Sequence, residues 1–290
     1  MNIQTLLITA VALTLGLSAC NKEEDLAQQD GIPANAVQIT ATVGKPFSAT
    51  RTNPMGTIEE QKKFNNGDKI VISVWPGPKL TIYQFDGSQW LPSDNKYALW
   101  TSNENRFEST YPINDDGSIV RSVQKDQSTL ALLAMSDMMG SKMELLQKGE
   151  VINLVLERYT SRIIMKIAEF SSEFSSDSKV TDVKFRLVNT YNSTEEDIVY
   201  IPYPQGEGSV NSTYTLLVGG VLRYDDMYIS LKVGDKEMRT AAFENLYKVG
   251  GMSYTYNLIV GKEKLEIASV TVEDWTTGET IPGGQAGEMK

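Results

Sequence analysis

The 290-residue chain contains no histidine and a single cysteine. Without histidine there is no Ser-His-Asp or Cys-His nucleophile, no imidazole general base and no imidazole metal ligand. One cysteine excludes an intrachain disulfide and any paired-thiol redox or zinc motif. Positive charge is scarce as well: 27 Lys and Arg stand against 37 Asp and Glu, a formal balance of −10. Neutralising phosphates requires clustered cations, so no nucleic-acid partner is expected. No two carboxylates are set by their spacing into a glycosidase pair, and Asp115-Asp116-Gly117 lacks the spaced acidic ligands of a calcium loop and reads as a turn. Catalytic residues, metal and cofactor are therefore expected to be none. What remains is 41% hydrophobic and 9% aromatic residues with 22 Gly and 10 Pro, a globular composition long enough for two domains.

The N-terminus sets the compartment. Residues 3–19 are apolar without a charged side chain, a length that suits a secretory signal better than a membrane span. The segment Leu17-Ser18-Ala19-Cys20 that ends this run resembles the lipobox read by bacterial lipoprotein signal peptidase. The resemblance implies that residues 1–19 are removed and that Cys20 is acylated as the first residue of the mature chain. One departure is the segment Met1-Asn2-Ile3-Gln4, which carries only the α-amino charge. Residues 20–35 form a polar tether. Its Asn21-Lys22-Glu23-Glu24-Asp25 resembles the export signal of surface lipoproteins of Bacteroidetes-type bacteria, which implies the outer face of the outer membrane; the alternative is an ordinary solvated linker on a lipoprotein facing the periplasm.

From Val37 onward, short β-rich runs alternate with Gly, Asn, Asp and Pro. The pattern predicts strands over 37–43, 69–75, 80–85, 97–100, 129–134, 151–157, 162–170, 180–188, 198–201, 213–218, 227–233, 254–260 and 265–272. Asn66-Gly67-Asp68, Asp86-Gly87 and Gly234-Asp235 supply residues suited to tight turns. Met135–Gln147 is the one expected helix or irregular crossing, weakened by Gly140-Ser141. The fold expected is all-β, with two tandem β-sandwich domains over 36–148 and 149–290.

Several spaced segments carry a family resemblance. Ala49-Thr50-Arg51-Thr52 follows the first strand, and Asn66-Gly67-Asp68-Lys69-Ile70-Val71-Ile72 enters the second. Tyr97-Ala98-Leu99-Trp100 precedes Phe107-Glu108-Ser109-Thr110-Tyr111-Pro112. Val151–Leu156 with Arg162–Ile167 looks like paired strands opening the second domain. Gly250–Leu258, with its Tyr254-Thr255-Tyr256, and Val272-Glu273-Asp274-Trp275 close it. Together these resemble the fimbrillin-like lipoproteins of Bacteroidetes, which include type V pilins. The resemblance implies sandwiches of transthyretin-like, Greek-key type. It also implies removal of the first strand by an arginine-specific protease, and a groove that accepts a strand from another fimbrial subunit.

Val37, Ile39, Ala41 and Val43 alternate as such a first strand would, and Arg51 beyond it is the expected cleavage point. Leu265–Val272 or the tail after Trp275 would be the donor. That tail holds four Gly and one Pro, poor strand material, which favours a tip, accessory or anchor subunit over a shaft pilin. The expected partners are other fimbrial subunits, outer-membrane lipid through Cys20, and a host or bacterial surface glycan or protein. The alternative is a glycan- or ligand-binding surface lipoprotein presenting Trp75, Trp90 or Tyr203 as flat platforms. Trp100, Tyr111, Tyr254, Tyr256 and Trp275 are expected in the core or on sheet faces. An enzyme has no visible nucleophile and base to support it.

Overall fold

Alternating apolar side chains build strands throughout the chain, and the expected all-β class is what is found. The computed structural model describes residues 32–43, 55, 63–76, 79–175, 177–188, 197–219, 226–244, 250–274 and 280–281. In the first half, β1 (Ile39–Val43), β2 (Lys69–Trp75), β3 (Lys79–Phe85), β4 (Trp90–Pro92), β5 (Glu104–Tyr111), β6 (Met139–Ser141), β7 (Glu144–Gln147) and β8 (Ile152–Arg158) share one sheet. Its order is β1-β8-β6-β5-β2-β3-β4, with β7 also paired to β5. Both ends of this sheet meet: the Trp90 indole N–H of β4 donates to the Ala41 carbonyl of β1 at 3.3 Å. The sheet encloses a core that includes Ile70, Ile72, Val74, Phe107, Ile152, Leu154 and Leu156.

The second half contains β9 (Thr160–Phe170), β10 (Val180–Val188), β11 (Ile198–Tyr200), β12 (Tyr203–Gln205), β13 (Thr213–Gly219), β14 (Asp226–Val233), β15 (Lys236–Arg239), β16 (Phe243–Glu244), β17 (Met252–Val260), β18 (Leu265–Asp274) and β19 (Thr280–Ile281). One sheet runs β11-β10-β14-β15 with β16 on β14; the other runs β12-β13-β9-β17-β18-β19. Their inward residues, among them Ile163, Met165, Phe185, Leu216, Ile229, Tyr256 and Leu258, form one second core. Two sheets sharing a core is the sandwich arrangement.

Three expectations about the first half are corrected. Residues 129–134, read as a strand, carry the helix α1 (Leu130–Met135). Leu, Ala and Met are strong helix formers, and the Thr129 hydroxyl caps the helix by accepting the Leu132 N–H at 3.3 Å. The expected helix or crossing over Met135–Gln147 is instead β6 and β7, with the Tyr159 ring lying over Gly140, where a Cβ would stand 2.3 Å from its Oη. Finally, Val151–Leu156 does not pair with Arg162–Ile167. β8 runs parallel to β1 and antiparallel to β6, whereas β9 pairs with β13 and β17. The inward side chains decide this, since Ile152, Leu154 and Leu156 enter the first core and Ile163, Met165 and Ile167 the second. The first sheet therefore runs past residue 148 to Arg158, and the chain changes core at Arg158-Tyr159-Thr160.

From Asn35 on, the chain is one compact unit. One buried polar clamp joins the two halves, and a buried ion pair sits where the chain passes from one core to the other. Gln127, in the segment between β5 and α1, is fully buried; its amide N–H₂ donates to the carbonyls of Gln124 and Leu217, each at 2.8 Å. Its amide oxygen accepts the Leu217 N–H at 2.8 Å. β12 covers β13 only from Thr213 to Thr215, so Gln127 takes the place of a neighbouring strand at Leu217. Leu133 of α1 packs on Leu217 beside Tyr203. Where β8 ends, Arg158 forms a two-pronged ion pair with Asp137, Nε to Oδ1 and Nη2 to Oδ2 both at 2.8 Å. These side chains are 2% and 0% exposed. Arg162, one strand turn on, donates to the Ser253 hydroxyl at 3.0 Å, and burial pushes its guanidinium down to about 10, with the nearby Arg158 acting in the same direction.

Candidate assembly interface

The alternation Val37, Ile39, Ala41 turns one face of the first strand inward: Val37 is 4% exposed, and Ile39 and Ala41 pack against the first core. β1 is the terminal strand of its sheet and pairs in parallel with β8, from Ile39 opposite Ile152 to Val43 opposite Leu156. The Ile152 N–H donates to the Gln38 carbonyl at 3.0 Å, and the Thr40 hydroxyl reaches the Asn153 amide oxygen.

The opposite side of this segment meets the aromatic pieces singled out in the sequence. The Val37 N–H donates to the Ala98 carbonyl and the Trp100 N–H to the Asn35 carbonyl, both at 2.9 Å. Residues 97–100 are thus a backbone clamp with a single bridge, Leu99 to Ala36, and not the expected strand. Ala98 is itself fixed, because its N–H donates to the Tyr83 hydroxyl at 3.0 Å. Burial pushes the Tyr83 phenol up to about 12. Trp100 stands edge-on to Phe107 at 5.1 Å, and Trp90 edge-on to Phe64 at 4.9 Å. The first segment, Asn35 to Val43, therefore occupies a slot between β8 and the Trp90, Ala98 and Trp100 side.

Cys20 and Arg51, the expected lipidation and cleavage residues, lie outside the described residues, as does Trp275. Trp100, Tyr111, Tyr254 and Tyr256 are all buried, as expected for core aromatics. The expected platforms fare differently. Trp90 is 7% exposed and belongs to the core, a correction forced by its packing on Phe64 and Phe85. Trp75 is half-buried with its indole N–H given to the Glu108 carboxylate at 3.3 Å. Tyr203 is half-buried against Leu133 and Leu217. Asp115-Asp116-Gly117 is a turn, as expected: the Asp116 carboxylate accepts the Ser118 N–H, and Gly117 has φ +82°. Of the two donor segments considered, Leu265–Val272 lies within β18, where it pairs along β17 and buries Leu265 in the second core. Thr280 and Ile281 of the tail pair with Glu273 and Val272. The clamping role of Trp90 was not anticipated; the spacing of Trp90 from the first strand, 49 residues, leaves no local signal.

A family model described as fimbrillin-like matches residues 50–275. No curated protein matches the chain. Among solved structures, a candidate cell adhesion protein from Bacteroides ovatus superposes with a TM-score of 0.59 at 12% identity, covering 84% of this chain and 99% of that one. A second candidate cell adhesion protein, from Bacteroides uniformis, gives 0.54 at 16% identity, covering 84% and 100%. At such identity the likeness is one of fold. The family match spans most of the chain, covering the second core and the first core from Phe64 onward but not the first strand, and on that match this chain belongs to the fimbrillin-like family.

Proposed function

We propose that this chain is a surface-displayed fimbrial subunit whose first strand, Val37–Val43, is exchanged for a strand of another subunit. The observation that carries the reading is the position of that strand: terminal in its sheet, parallel to β8, with its inward side chains in the first core. Withdrawing it exposes the β8 backbone edge and aliphatic side chains worth ~1.5–3 kcal/mol for each one fully buried. An incoming strand regains both terms, which is the general logic of strand addition. Cleavage after Arg51 is the proposed trigger. Acylation of Cys20 is the proposed anchor in the outer membrane, checked by mass spectrometry of the mature N-terminus. Among the described residues the tail pairs with β18 through Thr280 and Ile281, and its four Gly and one Pro are poor donor-strand material, which supports a tip, accessory or anchor role. We also propose that each core is a β-domain in its own right, with the change of domain at Arg158-Tyr159-Thr160.

Treatment of the mature protein with an arginine-specific protease, followed by an unheated gel, tests the exchange. Ladders identify a shaft subunit. Complexes that form only on mixing with a shaft subunit and grow no further identify a tip or anchor, the expected result. Arg51→Ala stays monomeric in either case. A protein that is cut after Arg51 and remains a monomer under both conditions refutes strand exchange.

A further inference from the structure

The outer face of the sheet β11-β10-β14-β15 carries a positively charged cluster in an otherwise acidic chain. Phe185 and Leu187 of β10, Met227, Ile229 and Leu231 of β14 and Met238 of β15 point into the second core. Their alternate neighbours Arg186, Tyr228, Ser230 and Arg239 therefore share the opposite face. Cross-strand register brings them together: Arg186 is opposite Tyr228, and Ser230 lies between Lys184 and Arg239. Both guanidiniums sit over the one Tyr228 ring, Arg186 at 5.8 Å and Arg239 at 5.3 Å from its centroid.

The pairing of charges around this ring is uneven. Lys184 and Lys232 are bound to the Asp182 carboxylate at 2.7 and 3.2 Å. That carboxyl is held below its usual range, first by the hydrogen bond from Lys184. Asp197 accepts the Tyr228 hydroxyl at 3.4 Å. Among the described residues neither Arg186 nor Arg239 has an ion-pair partner. Two donors beneath them are also unused: Arg186 Nε and the hydroxyl of Ser230, a residue 1% exposed, are buried without a hydrogen-bond partner. Buried donors in native proteins are nearly always paired, so two adjacent orphans under two unpaired guanidiniums need an explanation. Like charges held over one ring also repel, and an anion between them relieves that repulsion.

We propose that this face binds an oxyanion carried by an acidic polysaccharide, with Arg186 and Arg239 as the anion ligands and Tyr228 as the plane that holds them. Arginine presents planar, paired donors that match a carboxylate or sulfate group. The cluster is centred on β14; β15 is the terminal strand, but an acidic peptide strand added to its edge would lie beside Arg239 with β15 and β14 between it and Arg186, and so would not meet both guanidiniums. A sugar ring needs no such edge, because it makes contact through its face and its charged substituent. The proposal deepens the adhesive part of the reading above by naming a ligand class, and it does not depend on strand exchange.

The test is calorimetric titration of the uncleaved, monomeric mature protein at low ionic strength. The probes are polygalacturonate, dextran sulfate, neutral dextran and polyglutamate. We expect saturable binding of polygalacturonate or dextran sulfate, with no binding of neutral dextran and at least tenfold weaker binding of polyglutamate. Preference for polygalacturonate identifies a carboxylated source, and preference for dextran sulfate a sulfated one. The double variant Arg186→Gln/Arg239→Gln loses at least tenfold in affinity with unchanged thermal unfolding. Lys148→Gln/Lys264→Gln, which removes two exposed cations elsewhere, changes binding little and controls for net charge. Equal binding by the double variant, equal binding of polyglutamate, or no binding of either acidic polysaccharide overturns the proposal. Because the protein remains uncut, failure here is distinguishable from failure of strand exchange.

Discussion

Replacing Gln127 measures how strongly the two cores are coupled. Gln127→Leu keeps the volume but leaves the buried Leu217 N–H without its acceptor and removes a donor from the carbonyls of Gln124 and Leu217. An unsatisfied buried N–H costs ~1–3 kcal/mol, and each carbonyl less because it has a second lone pair. The expected loss is about 2–4 kcal/mol, a large share of the ~5–15 kcal/mol typical of a folded protein. Gln127→Glu should cost more, because a carboxylate oxygen then faces two carbonyl oxygens at a fully buried site. Urea unfolding followed by tryptophan fluorescence reads both variants. The predicted order of stability is wild type, then Leu, then Glu. If both variants unfold within ~0.5 kcal/mol of wild type, the amide clamp does not hold the cores together and the reasoning fails.

Three further outcomes follow from the same geometry. Asp137→Ala strands the Arg158 guanidinium and should cost about 3–5 kcal/mol by chemical denaturation, whereas Asp137→Leu with Arg158→Met should recover much of it. Gly208→Ala should destabilise far more than Gly234→Ala in thermal unfolding: both have positive φ, but only at Gly208 would a Cβ stand 2.3 Å from a backbone oxygen, that of Val180. The Tyr83 phenol is raised from 10.0 to about 12, so the folded state holds its proton more tightly than the unfolded chain. Its contribution, on the order of 2 kcal/mol, is complete below pH 10 and is lost as pH rises through 12, and Tyr83→Phe should flatten that decline in urea midpoints.

Strands with strong, regular patterns were legible in the sequence. Lys69–Trp75 and Val180–Val188 have the predicted bounds, and Ile152–Arg158 is displaced by a single residue at each end. The period-2 signal failed where polar groups point inward. Asn105 and Ser109 of β5 are 1% and 2% exposed; the Asn105 amide donates to the Trp75 carbonyl and the Ser109 backbone N–H to the Ser141 hydroxyl, partners that no local pattern reveals. Leu130–Met135 was ambiguous because a short apolar run fits a buried strand or a helix equally well, and only the Thr129 cap decides. The parallel pairing of β1 with β8 joins Ile39 to Ile152 across the whole first half. This pairing was not expected; the family resemblance implied only a groove of unstated walls. The Arg186, Tyr228 and Arg239 cluster was invisible for the same reason, because it exists only once the register of β10, β14 and β15 is set.

The central claim is that the first strand is a replaceable wall of the first core. A protease site placed within residues 44–54 allows that strand to be cut without relying on Arg51. A labelled peptide of residues 35–45 is then followed by fluorescence anisotropy with cut and uncut protein. The account predicts slow, saturable uptake by the cut protein alone, abolished when Val37, Ile39 and Ala41 of the peptide become Asp, since these positions face the core. Equal uptake by uncut protein, or none by the cut protein while it stays folded, would contradict it.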